Sequence, residues 1–273
     1  MTIFIRAVGS ADLAAVRRIA VAHDVLAQWP AGPDFLDCER AFGRLLLGEV
    51  DGRIAGFGGV LRRGGLTHLG DLFVAADRQS AGLGRALLDG LLDGADRRVT
   101  YASADPRAVA LYVRYGMIPR EPLLYLAGPA DALSTVDDFG PVPPAEPADD
   151  AALVDLDGTV SGGSRGDTLR WYTGLSTVDG YRTGDGYALA RRVDDLVQIG
   201  PAGGADPVAS ARAVVAAGRR YPGRRLLISL FGTHPLLPAL LRAGYRIDDT
   251  DTLMSSEDGL FSPDRYVPSV DLG

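Results

Sequence analysis

Residues 68–88, HLGDLFVAADRQSAGLGRALL, constrain the fold more than any other stretch. His68 to Val74 alternates and then runs apolar, as a half-buried strand does. Gln79 to Gly84 is a turn of small residues. Leu83, Leu87, Leu88 and Leu91 then recur at helical spacing, and Gly94 can end the helix. A strand, a glycine turn and a helix start together present free backbone N–H groups and the positive end of a helix dipole. That combination attracts an anion, and a phosphate group is the natural one. Two common phosphate loops are excluded by spacing. No Gly-Lys-Ser/Thr follows the turn, and the glycines do not fall as Gly-x-Gly-x-x-Gly.

The flanking chain supplies the partners this unit needs. Residues 2–8 read as a strand. Ser10 can cap a helix whose apolar stripe is Leu13, Val16, Ile19, Ala20 and His23. Pro30 and Pro33 break the pattern across residues 24–40. Residues 44–50 and 53–62 form two β-runs joined at Asp51-Gly52, a strong hairpin signal. Gly64-Gly65 turns the chain into a third run, 67–75, so an antiparallel meander feeds the glycine turn. A strand at 99–103 follows the helix. Asp105, Pro106 and Gly116 then bracket a short helix as N-cap, first-turn proline and C-terminal glycine.

Gln79, Gly82 and Gly84 fit Gln/Arg-x-x-Gly-x-Gly/Ala after a strand ending in Val74. Asp105, Ala108, Leu111, Tyr112 and Gly116 fit Asn-x-x-Ala-x-x-Leu-Tyr-x-x-x-Gly-Phe, with Asp105 for the usual Asn and Met117 for the Phe. In this pair and order the chain resembles the GNAT superfamily of acyl-CoA-dependent N-acyltransferases. The resemblance implies acetyl-CoA as cofactor and a small-molecule amine as acceptor. It places the diphosphate on Gln79, Ser80, Ala81, Gly82, Leu83 and Gly84, with Arg78 and Arg85 as charge partners. It lays the pantetheine arm along Phe73, Val74 and Ala75, with the Val74 N–H as donor to the thioester carbonyl. Asp105 stands at the second signature. Tyr112 takes the role of general acid toward the coenzyme sulfur.

The general base is open between His68 and Asp71. Strand alternation puts His68 on one face with Gly70, Leu72 and Val74, and Asp71 on the other. Many relatives carry a Glu, and some arylalkylamine-acetylating ones a His, at this strand position. In the superfamily the broken stretch 24–40 lies over the acceptor cleft, which makes Trp29, Asp34 and Phe35 candidate substrate contacts. No metal is expected.

Composition narrows the classes. The 273 residues carry a formal charge of −7, which argues against nucleic acid and suits an amine partner. A single cysteine, Cys38, excludes an internal disulfide and suits a reducing compartment. With no apolar run long enough for a bilayer, the expectation is a cytoplasmic monomer or homodimer.

The second half echoes the first. Gly56 to Val60 aligns with Gly186 to Ala190, Arg85 to Leu88 with Arg212 to Val215, and Leu111 to Gly116 with Ala239 to Gly244. The near-constant offset predicts a tandem α/β (α+β) architecture, each domain a mixed, mostly antiparallel twisted sheet flanked by helices. Residues 1–128 would be the catalytic domain, 129–150 a Pro/Asp-rich linker, and 151–273 a degenerate copy. In that copy Ala209 and Ala211 replace Gly82 and Gly84, with Asp206 and Pro207 just before them.

Two other classes stay open. One is an acyl-CoA-binding regulatory or scaffold protein without turnover. The other is a haloacid-dehalogenase-like phosphatase, because VDLDGT at 154–159 resembles its first motif, with Asp155 as nucleophile and Asp157 beside Mg²⁺.

Overall fold

The computed structural model describes residues 2–29, 32–79, 82–269 and 272–273. The chain divides into two compact units, residues 1–100 and 101–273.

The first unit runs β1 (Ile3–Ala7), α1 (Leu13–Ala22), α2 (Phe35–Phe42), β2 (Arg44–Val50), β3 (Arg53–Arg63), β4 (Leu66–Val74), α3 (Leu83–Leu91) and the start of β5 (Arg97–Ala102). Strands β1 to β4 form an antiparallel meander, and β5 joins β4 in parallel. Asp51 and Gly52 both take positive φ at the β2–β3 turn, as the sequence requires of them. One face of the sheet packs on α1 and α2 through Val16, Ala20, Phe35 and Leu36 against Leu45, Leu47 and Phe57. The other face takes α3 at close range. A Cβ at Gly48 would lie 2.4 Å from Leu83 Cδ1, and one at Gly58 would lie 2.7 Å from Leu91 Cδ1. These strand glycines let the helix that follows the turn settle directly on the sheet.

Helix α2 is a feature the prolines hid. Asp34 caps it, accepting from the Leu36 N–H at 3.1 Å, while Asp37 accepts from the Asp34 N–H. Ser10 is not the cap expected of it. Gly9 precedes a 3₁₀ turn at Ser10–Asp12, and the Asp12 carboxylate accepts from the Gly9 N–H at 2.9 Å.

The second unit contains α4 (Pro106–Arg114), β6 (Ile118–Pro129), β7 (Glu146–Pro147), α5 (Asp150–Val160), α6 (Gly166–Thr173), β8 (Val178–Thr183), β9 (Gly186–Val193) and β10 (Leu196–Gly204). It continues with α7 (Pro207–Gly218), β11 (Arg225–Phe231), α8 (Leu236–Arg242), β12 (Arg246–Ser255) and β13 (Tyr266–Val267). Its strands lie in the order β12-β6-β11-β10-β9-β8-β7, with β13 on β10.

The order of elements from β2 to β6 recurs from β8 to β12, including the antiparallel meander and the parallel third pair. Strand β6, which ends the first series, pairs with β11 on one edge and β12 on the other. Its hydrogen bonds therefore lie in the second unit, and the first unit closes at residue 100 rather than at 128. The stretch expected as a linker is not free. Ala130, Leu133, Val136 and Ala145 are buried in the core of the second unit, beside Val214, Leu226 and Ile228.

The phosphatase motif fails on geometry. Residues 155 and 157 lie within α5, not at the end of a strand. Asp157 is fully buried and paired with Arg165 at 2.8 Å.

Candidate active site

Strand β4 carries the site and is not regular. Its pairing with β3 runs Val74↔Gly56, Phe73↔Phe57, Leu72↔Gly58 and Asp71↔Gly59, then jumps to Leu69↔Val60 and His68↔Leu61. Gly70 is the extra residue of a β-bulge. Partners across a ladder share a face, so the bulge reverses the parity beyond it. His68, Asp71 and Phe73 therefore lie on one face, with Leu61, Gly59 and Phe57. Leu69, Leu72 and Val74 lie on the other. The expected separation of His68 from Asp71, with His68 beside Leu72 and Val74, is corrected by this one glycine.

The face that holds both base candidates is the α1–α2 face, and both side chains are buried there, at 1% and 7% exposure. A third acid joins them. Glu39 of α2 is fully buried, and its Oε2 lies 1.8 Å from where a Cβ at Gly59 would stand. Gly59 pairs with Asp71, and cross-strand partners hold their Cβ positions about 5 Å apart. The Glu39 carboxylate is thus a near neighbour of the Asp71 side chain. Arg63, also fully buried, belongs to the same face. Sequence reasoning missed Glu39. Its trace was the pair Gly58-Gly59 in the middle of a strand, where glycine has no conformational benefit and marks a close approach.

The other edge of β4 opens beyond the bulge. The parallel ladder with β5 runs from Leu66↔Arg97 to Leu69↔Thr100, while β4 continues to Val74. The direction of each amide follows from the β3 side. The Ala75 N–H donates to the Ala55 carbonyl at 2.8 Å. Antiparallel ladders alternate, so Phe73 also bonds toward β3, whereas Leu72 and Val74 turn their N–H and C=O groups to the opposite edge. The side-chain amide of Gln79 donates to the Val74 carbonyl on that edge at 3.4 Å.

The turn after β4 ends at Gly82, the N-cap of α3, in the left-handed conformation with φ +86°. An added Cβ there would meet nothing within 4 Å, so the backbone faces open space. The Ala86 N–H donates to the Gly82 carbonyl at 3.1 Å, so the N–H groups of the first helical turn point toward the turn rather than along the helix. Arg85 is exposed, and Arg78 pairs with the exposed Asp77 at 3.3 Å. Ser80 and Ala81, expected to contact the cofactor, lie outside the described residues. An edge of outward amides leading to a glycine-capped helix N-terminus suits an extended, amide-bearing arm with a phosphate end.

Two of the expected substrate contacts serve the fold instead. Asp34 caps α2 and pairs with Arg17 at 2.8 Å, and Phe35 is 2% exposed in the core. Trp29 packs edge-on to Phe35, with ring centres 6.2 Å apart. A cleft of 480 Å³ does open on the α1 side, lined by Arg18, His23, Arg53 and Ala75 among others. His23 stacks near Phe73 there, at 5.1 Å.

Tyr112 and Asp105 belong to the second unit. Asp105 caps α4 through the Arg107 N–H at 2.9 Å and pairs with the Arg107 guanidinium, which holds its carboxyl below the usual range. Tyr112 is buried on α4, and Gly116 follows with φ +79°, as a helix-ending glycine does.

The second series of elements differs at the matching helix start. Asp206 caps α7, and its carboxylate accepts from the Ala209 N–H at 2.8 Å. Pro207 has no N–H to offer.

An antiparallel meander, a parallel pair that parts after four residues, and a glycine-capped helix after it are the arrangement of a GNAT-like fold. Residues 41–128 match the family model described as an acetyltransferase (GNAT) domain. No curated protein matches the chain. Among solved structures, it is similar to a putative acetyltransferase from Pyrococcus horikoshii. The two share 15% identity and a TM-score of 0.73, over 99% of this chain and 96% of that one. A GCN5-related N-acetyltransferase from Sphaerobacter thermophilus matches at 18% identity and TM-score 0.56, over 95% and 96% of the two chains. A tandem GNAT protein from the clavulanic acid biosynthesis pathway matches at 15% identity and TM-score 0.58, over 93% and 98%. At these identities the likeness is one of fold. Among the described residues, no helix is long and apolar enough to cross a membrane.

Proposed function

We propose that this chain is an acetyl-CoA-dependent N-acetyltransferase that passes the acetyl group directly to the amine of a small molecule. The observation that carries this is the edge of β4 beyond its pairing with β5, where the outward amides of Leu72 and Val74 lead toward the glycine-capped N-terminus of α3. Acetyl-CoA supplies an activated thioester when bound. The N–H groups of the α3 start would hold its diphosphate, and the Leu72 and Val74 edge would hold its arm as an added strand. The Val74 N–H is the donor available to an oxygen that gains charge during transfer.

The incoming amine must lose a proton. His68 or Asp71, brought to one face by the bulge, would accept it, directly or through water. The acceptor would approach from the α1 side, where the cleft with Arg18 and Arg53 on its rim suits a molecule that also carries an acidic group. Tyr112 would hold a proton at Oη for the departing sulfur, an assignment that rests on the Leu-Tyr signature. The second series of elements would bind no cofactor, since Asp206 repels an anion at the helix start that Gly82 leaves bare. On this proposal it is a degenerate copy with a structural role.

Calorimetric titration with acetyl-CoA tests the proposal, beside a Gly82→Asp, Gly84→Asp double variant. Micromolar binding that vanishes in the variant, followed by thiol release with a panel of amines, is the expected result. A folded wild-type protein that binds no acetyl-CoA overturns it.

A further inference from the structure

The two series of elements treat the same groove in opposite ways. In the first, β4 and β5 part after Leu69↔Thr100 at the Gly70 bulge. In the second, β10 and β11 pair from Leu196↔Arg225 to Ile199↔Ile228 and then part, with a register shift between Ile199 and Ala202. Beyond that shift β10 keeps β9 on one edge, at Ala202↔Ala188 and Gly203↔Tyr187. On its other edge it takes up β13, at Ala202↔Val267 and Gly203↔Tyr266. Tyr266 and Val267 thus lie as an added strand where β11 has left.

The segment is held by more than its ladder. The Gly204 N–H donates to the Arg265 carbonyl, and Arg265 Nη1 donates to the Ala205 carbonyl at 2.7 Å. A Cβ at Gly200 would stand 2.6 Å from the Pro268 carbonyl oxygen, so only glycine admits the segment there. Tyr266 and Val267 are fully buried.

Below them lies a guanidinium with every donor used. Arg165, 4% exposed, donates through Nε and Nη2 to the two oxygens of Asp157. It donates through Nη2 to Tyr266 Oη, and through Nη1 to the main-chain oxygens of Leu272 and Gly273 at 2.8 and 2.6 Å. Five N–H groups meet five acceptors, and three of these belong to the segment. Tyr187 Oη completes the cluster by donating to Asp157. Without the segment, three buried charged donors would lack partners, which a fold tolerates poorly.

We infer that the groove between β10 and β11 is a strand-addition site for an extended peptide, and that the segment bearing Tyr266, Val267, Leu272 and Gly273 is its ligand, bound in cis. The recognised features are a tyrosine hydroxyl on Arg165, a short ladder on β10, and main-chain oxygens five to seven residues further on. The inference stands whatever the first series of elements binds.

The test uses the full chain with a protease site inserted between the exposed Asp258 and Gly259. Before cleavage the urea midpoint should equal that of the parent. After cleavage the fragment should co-elute with the body on gel filtration and appear bound in native mass spectrometry. Mild urea should displace it and lower the body's midpoint, and a synthetic peptide of residues 259–273 should restore it. The same peptide with Phe in place of Tyr266 should need about tenfold more to do so. A fragment that separates at once while the body keeps its midpoint overturns the inference. So does a lowered midpoint that the peptide does not restore, or one that both peptides restore equally.

Discussion

The alternation of amides along β4 makes a sharp prediction, because neighbouring residues should respond in opposite ways to the same substitution. The Ala75 N–H bonds to Ala55, so Phe73 bonds to β3 and Val74 does not. Proline removes an N–H and is tolerated where that N–H faces away from the sheet. Val74→Pro should therefore keep the β3–β4 ladder and cost less than about 1 kcal/mol in urea unfolding. If the Val74 N–H stabilises charge on the acyl oxygen, kcat should fall about a hundred- to thousandfold, as for loss of one such donor elsewhere. Acetyl-CoA binding by calorimetry should weaken only a few-fold. Phe73→Pro takes a ladder bond and a ring that lies 5.5 Å from Phe57 and 5.1 Å from His23. It should cost about 3 kcal/mol or more. Thiol release from acetyl-CoA, with the best acceptor from an amine panel, reads the rate. A folded Val74→Pro protein with an unchanged rate refutes the role of that amide. A Val74→Pro protein as unstable as Phe73→Pro refutes the alternation itself.

Two further outcomes follow from buried groups. Gly59→Ala places a Cβ 1.8 Å from Glu39 Oε2, so the α2–β3 contact must shift, and urea unfolding should show a loss of about 1–3 kcal/mol. The loss should shrink in a Glu39→Ala background, since the two sites share one contact. The pH dependence of stability should carry the mark of His234, which burial holds neutral with its pKa lowered to about 3. The unfolded chain takes up a proton near pH 6.5 that the fold refuses. Stability from this residue is then full above pH 6.5 and is lost as pH falls toward 3. Urea midpoints measured across that range should flatten in His234→Gln, and an unchanged slope would show that another group governs it.

Local chemistry alone determined a good deal of this protein. The Asp51-Gly52 hairpin, the Gly64-Gly65 turn, the Asp105-Pro106 helix start and the glycine-capped α3 were all legible, because each depends on residues within one turn of each other. The form of the turn before α3 was legible for the same reason, since a glycine of positive φ and a helix start lie side by side in the chain. What depends on distant partners was not. The α2 helix was hidden because its cap, Asp34, follows two prolines that signal only a break.

The face of His68 was misplaced because a bulge is decided by the register of β3 on β4, and Gly70 alone does not announce it. Glu39 was invisible because its contact with Gly59 joins a helix to a strand across the core. The stretch 129–150 looked like a linker because its few apolar residues have no period, yet Leu133 and Val136 find a core made by other elements. The lodging of Tyr266 and Val267 beside β10 was likewise a matter of tertiary structure. A two-residue strand has no periodicity to read, and only the parting of β11 creates the edge that it fills. Short-range backbone preference writes itself into neighbouring residues, whereas register and burial are settled by segments that meet only when the chain has folded.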